Sequence, residues 1–111
     1  MDRAEQYRQI VKNVLSACRA DYPGEEGVEL EMVSDDAAGH YALEFVGWEG
    51  WKRVHGSYIH VDVRDGKIWI QHDGTHDGIV DELLELGVPT EHIVLAWQHP
   101  FKRQFTEFAV G

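Results

Sequence analysis

Seven histidines in a chain of 111 residues raise the question of a metal or acid–base centre. Such centres need ligands at spacings that converge on one point, such as His-Glu-x-x-His, paired cysteines, or helical histidines at i and i+4. None of these occurs. His72 and His76 are four apart, but Asp73-Gly74-Thr75 between them reads as a turn rather than continuous helix. His60 and Asp62 share a parity, so on a strand they point to one face, and a hairpin register would place Gln71 opposite His60. That trio offers one imidazole and one strong carboxylate, short of a ligand set. Ordinary polar neighbours are the expected reading, with no metal and no cofactor. A small metal-dependent enzyme centred on His60, Asp62 and His72 is the alternative.

Nucleophilic chemistry has less support. Ser16, Ser34 and Ser57 lack a Gly-x-Ser-x-Gly setting, and no Gly-x-x-x-x-Gly-Lys phosphate loop occurs. Cys18 falls on the apolar stripe of a helix, where a small core residue is the default. A nuclease-like set fails too, because the acids near Gln71 have no lysine at the needed place. The residues predict no enzyme.

Aromatics make the stronger case for a functional surface. Trp48, Trp51, Tyr58 and Trp69 surround one hairpin system and, with His60, Asp62 and Gln71, form the candidate interaction surface. A covering helix would make these rings core; left uncovered, they suit self-association or a protein partner. Sheet-face aromatics also stack on single-stranded bases, but the surrounding charge is negative, so protein contact is favoured.

That charge is −10, from 20 acids and 10 bases. No Lys or Arg lies between Arg19 and Lys52 or between Lys67 and Lys102, and acids crowd both intervals. DNA binders gain affinity by pairing bases with phosphates, so direct nucleic-acid binding is disfavoured. The acidity reads either as a soluble surface or as a face that docks a basic protein. A directionality factor contacting DNA would need Arg3, Arg8, Lys12, Lys52, Arg53 and Lys67 gathered into one patch. The lone cysteine, the charged N-terminus and the lack of an apolar run of about 20 residues predict a soluble cytoplasmic protein with no membrane role.

The elements that would position these groups follow from periodicity. Tyr7, Ile10, Val11, Val14, Leu15 and Cys18 recur at three and four, predicting a helix over 3–20 that stops at Asp21-Tyr22-Pro23-Gly24. Alternation predicts strands over 28–34 and 40–48, paired as a hairpin. Asp65-Gly66 predicts a type I′ turn, setting Val63 against Ile68, Asp62 against Trp69, Val61 against Ile70 and His60 against Gln71. Ile59, Val61, Val63, Ile68 and Ile70 then form the core face, and Tyr58, His60, Asp62, Trp69 and Gln71 the opposite one. Thr75 caps a predicted helix over 76–86 that turns Ile79, Val80, Leu83 and Leu86 inward. A helical turn over 90–92, a buried strand over 93–97 and a final turn from Pro100 complete the chain. The fold class is α+β, one domain over 1–111, with the N-terminal helix packed on a mainly antiparallel sheet.

Several of these segments resemble the XisI family, the fdxN element excision controlling factors. The resemblance runs through Glu5-Gln6-Tyr7-Arg8, Gly47-Trp48-Glu49-Gly50, Ile59-His60-Val61-Asp62 and Gly66-Lys67-Ile68-Trp69-Ile70-Gln71. It continues through Asp73-Gly74-Thr75, Gly87-Val88-Pro89, Ile93-Val94-Leu95-Ala96 and Thr106-Glu107-Phe108-Ala109. Departures are small: Trp51 after the Gly-Trp-Glu-Gly turn, Gln98-His99-Pro100 in place of a proline pair, and Phe105 in place of a tyrosine. The resemblance implies a non-enzymatic controlling role in programmed excision of a DNA element during heterocyst differentiation in cyanobacteria. It also implies a protein partner, the nuclease-like XisH, and carries over no catalytic residue. A homo-oligomer is also compatible with the aromatic surface.

Overall fold

The computed structural model describes residues 2–111. Helix α1 (Arg3–Asp21) begins where the Asp2 carboxylate accepts the backbone N–H of Glu5 at 2.8 Å, which satisfies one of the free donors of the first turn. It buries Tyr7, Val11, Val14 and Leu15 and leaves its polar residues exposed or, at Arg8 and Lys12, half-buried. Strands β1 (Val28–Asp35), β2 (His40–Glu49), β3 (Lys52–Arg64) and β4 (Lys67–Asp73) form an antiparallel meander. Helix α2 (Val80–Glu85) and a 3₁₀ turn (Thr90–His92) lead to β5 (Ile93–Leu95), which pairs in parallel with β4 and makes a five-stranded mixed sheet. A one-turn helix, α3 (Pro100–Arg103), precedes the C-terminal segment.

The β3–β4 turn adopts positive φ at both central residues, +54° at Asp65 and +71° at Gly66, as a type I′ turn requires. It sets Val63 against Ile68, Asp62 against Trp69 and Val61 against Ile70 as the sequence predicts. Beyond that point the register shifts. His60 faces His72, not Gln71, and Gln71 is left over as an extra residue. A second shift separates Leu43/Ile59 from Glu44/Ser57 and leaves Tyr58 unpaired. Such extra residues interrupt the two-residue alternation, so Tyr58 sits on the helix side instead of the outer face. Its ring packs 5.0 Å from Phe45 and 5.6 Å from Tyr22, centroid to centroid.

The aliphatic face is the core, as predicted. Ile59, Val61, Val63, Ile68 and Ile70 are all buried, and α1 packs on them with Tyr41, Leu43 and Leu30. The second helix is shorter than its sequence pattern suggests. Asp73 accepts the N–H groups of Thr75 (3.0 Å) and Ile79 (2.8 Å) and the Thr75 hydroxyl (2.6 Å). These bonds hold 73–79 as a loop, so Thr75 is no helix cap and α2 starts only at Val80. Ile79 and Leu83 do turn inward, but Leu86 lies past the last helical residue and is exposed. Strand β5 likewise stops at Leu95, two residues before Trp97.

Cys18 lies beside a shallow cleft between α1 and the 75–82 segment. Burial pushes its thiol from 9.0 up to about 11, and the nearby carboxylates of Glu82, Asp73 and Asp21 push the same way. Burial and the hydrogen bond to Asp36 raise the Tyr41 phenol well above its usual 10.0. In both groups the folded chain favours the protonated form. Their contribution is therefore whole below the unfolded value and lost as pH rises, between 9.0 and about 11 for the thiol and above 10.0 for Tyr41. The urea midpoint is expected to be flat from neutral pH to 9 and to fall beyond it. Alkylation of Cys18 is expected to be much slower in the native than in the unfolded chain. A midpoint that rises above pH 9, or a native thiol that reacts as fast as the unfolded one, contradicts this account.

Candidate functional site: the uncovered face of the sheet

Helix α1 takes one face of the sheet, and the residues of opposite parity form the other. Glu29, Glu31 and Val33 of β1 lie beside Val46, Glu44 and Ala42 of β2, which in turn face His55, Ser57 and His60 of β3. At the β4–β5 side the C-terminal segment covers part of this face. Ala109 donates to the Ile93 carbonyl at 2.9 Å. The Arg103 guanidinium donates to the carbonyls of Gln98 (3.0 Å), Ala96 (3.1 Å) and Val110 (3.4 Å). Trp69 lies beneath this cover. It is 9% exposed, its indole N–H donates to the Arg64 carbonyl at 3.1 Å, and the Arg64 guanidinium stacks 4.0 Å above its ring.

Among the described residues, none gives the β1–β2–β3 half such a cover. Strands β2 and β3 run on past the end of α1 as an arm whose tip is Gly50-Trp51, closed by the pair Glu49 and Lys52. Trp51 is fully exposed and Trp48 is 53% exposed, with the Arg53 guanidinium 5.3 Å from its ring. Glu31 and Glu44 sit directly opposite each other on adjacent strands, an arrangement that costs stability when both are charged.

The four aromatics of the sequence reading thus part into three settings. Trp48 and Trp51 mark the arm, Tyr58 joins the helix side, and Trp69 is buried under the C-terminal segment. Asp62, the strand partner of Trp69, lies about 30 Å along β3 from the tip. The six bases that would make a DNA-binding patch do not all gather: Arg3 reaches Gly66 beside Lys67, and Arg8 and Lys12 share one surface of α1. Lys52 and Arg53 are at the arm, Lys67 is at the opposite end of β3, and Lys12 is tied to Asp36 at 3.0 Å. Exposed Trp97, Phe101 and Phe105 form a further apolar group around α3 that the sequence reading did not single out.

His60, Asp62 and Gln71 do come together, and His40 joins them. Asp62, 8% exposed, accepts His40 Nδ1 at 2.8 Å and His60 Nε2 at 3.0 Å on one oxygen, and Gln71 Nε2 at 3.2 Å on the other. His72 faces His60 across the ladder, but His40 completes the group in its place. Unbroken alternation leaves His40 out of this group, because only the shifted β2–β3 register sets it opposite Asp62.

Comparison with known proteins places this geometry. The family model for the XisI protein matches residues 1–110. The chain belongs to the XisI family. It is similar to the solved structure of a XisI-like protein from Anabaena variabilis ATCC 29413, with a TM-score of 0.93 and 38% identity, over 97% of this chain and 99% of that one. It is also similar to the fdxN element excision controlling factor XisI of the same organism, with a TM-score of 0.86 and 32% identity, over 99% and 100% of the two chains. No curated protein matches it. For this XisI-family chain the Gly47-Trp48-Glu49-Gly50 motif is the outgoing side of the arm, and Ile59-His60-Val61-Asp62 supplies both core and outer-face residues. Among the described residues no helix is long and apolar enough to cross a membrane.

Proposed function

We propose that this XisI-family chain is a non-enzymatic controlling factor for excision of a DNA element. It works by binding a basic protein partner, the XisH-like nuclease, through the arm and the acidic stripe beside it. The observation that carries this reading is the pairing of Glu31 with Glu44 on an uncovered sheet face that also bears exposed Val33 and Trp48 and leads to exposed Trp51 at the tip. Two carboxylates held together there relax when a lysine or arginine is brought between them, and the tryptophans supply the apolar anchors that interfaces concentrate. The formal charge of −10 steers a basic partner to the same surface. Lys52 and Arg53 lie at the far end of β3 from Lys67 and Arg3, which speaks against the single six-base patch that direct DNA readout would use.

Co-purification with the XisH-like protein of the same genome tests the reading. A complex is expected at low salt that weakens as salt rises. Trp51→Ala is expected to weaken it by about 2 kcal/mol, roughly thirtyfold, without changing the urea midpoint. Two folded proteins that fail to associate at low salt would end this proposal. A mobility shift of duplex DNA by this chain alone would favour direct DNA contact.

A further inference from the structure

We propose that His40 Nδ1, His60 Nε2 and Asp62 Oδ1 bind one divalent transition-metal ion of the zinc class, its remaining coordination positions open to solvent on the free face of the sheet. Among the described residues, these are the three whose ligand atoms converge, all within 4.8 Å of one another. The strand register builds the site. His40 on β2 is the direct partner of Asp62 on β3, and His60 stands two residues before Asp62 on the same face. Both imidazole nitrogens already point at a single carboxylate oxygen, at 2.8 and 3.0 Å. Ligand atoms about 2.0–2.2 Å from a tetrahedral zinc lie roughly 3.4 Å apart. The two nitrogen–oxygen distances, 2.8 and 3.0 Å, must therefore lengthen by about half an ångström, and the two nitrogens, which lie within 4.8 Å of each other, must take up the same spacing to admit the ion.

The surroundings suit such a site. The Gln71 amide holds the other Asp62 oxygen at 3.2 Å, the kind of outer partner that orients a metal carboxylate. Asp62 is anchored in the sheet, its side chain 11% exposed, while those of His40 and His60 are 61% and 42% exposed, so an ion and its waters have a path in. Two imidazoles with one carboxylate favour zinc, cobalt, nickel or copper over magnesium and calcium, which take oxygen ligands. On binding, each ligating nitrogen gives up its proton. A neutral ring takes a proton at its other nitrogen, and a charged ring loses one to solvent.

The purified chain, stripped with chelator, is titrated with Co²⁺ near neutral pH and then displaced with Zn²⁺. One equivalent of Co²⁺ per chain with ligand-field absorption is expected, and zinc should replace it. His40→Ala and His60→Ala should each weaken binding about a hundredfold, and Gln71→Ala by about tenfold. His55→Ala, on the same face of β3 but outside the cluster, should leave affinity unchanged, and circular dichroism verifies that each variant is folded. Saturable binding that survives His40→Ala, falls equally with His55→Ala, or does not occur overturns the site. The pair of histidines then serves only to hydrogen-bond a buried carboxylate. Metal binding is read here without any partner, so its failure leaves the proposed protein docking standing, and the reverse holds as well.

Discussion

Alanine at Gly47 is expected to remove a large part of the chain's stability. A Cβ built at this position lies 2.0 Å from the Gly27 carbonyl oxygen and 2.7 Å from Val28 Cα, both backbone atoms that no side-chain rotation can move aside. Relief requires the start of β1 to withdraw from β2. That movement breaks the 2.8 Å bond from Trp48 N–H to the Gly27 carbonyl and the Val28–Gly47 pairing that docks the base of the arm. The loss is expected at about 4 kcal/mol or more, against a total stability of roughly 5–15 kcal/mol for a domain. Gly56→Ala is the matched control, since nothing lies within 4 Å of its Cβ and its φ is not positive. That variant should be neutral or gain about 0.5 kcal/mol. Urea denaturation of the two variants settles the matter. Equal midpoints would show that the 25–28 segment yields freely and that Gly47 has no steric role.

Ile59→Ala is expected to cost about 3–4 kcal/mol. Ile59 is 0% exposed in the central strand, paired with Leu43 just where the β2–β3 register shifts, with the whole aliphatic face around it. Deleting its three outer carbons leaves a cavity between sheet and α1 that the strands, bonded on both sides, cannot close. Trp51→Ala removes a larger side chain yet should leave stability within about 0.5 kcal/mol, because the indole touches water in the folded chain as it does in the unfolded one. Denaturation midpoints compare the two directly. A loss below about 1 kcal/mol for Ile59→Ala would mean that the core repacks around the deletion.

Much of the fold was legible because local rules suffice for it. The α1 stripe, the alternation in β1 and β2, and the Asp65-Gly66 turn each depend on neighbours a few residues apart, and each was found where the sequence predicts. The errors share a cause as well. The 76–86 helix was overextended because Thr75 and the acids after it imitate a helix start, while the competing acceptor, Asp73, lies outside the helical pattern. Tyr58 and Gln71 were misplaced because strict alternation was carried through two shifts in register.

One of those shifts was implicit in the residues. A ladder counted without interruption from Glu49 and Lys52 at the tip would lay His40 against Val61, an outer-face residue against a core one. The two apolar patterns can be reconciled only if one residue of β3 is extruded. The group around Asp62 depends on that extrusion, since it sets His40, twenty-two residues away in sequence, beside the carboxylate.

By itself the sequence determined the family, the acidic surface and the aliphatic core face, because periodicity, turn chemistry and composition act over short spans of chain. Only the tertiary structure decided which tryptophans meet water and which imidazoles meet Asp62. Both outcomes turn on how strands slip past one another and on what the C-terminal segment covers. Each is a balance of packing and backbone pairing between residues far apart in the chain, and no local pattern of residues encodes it.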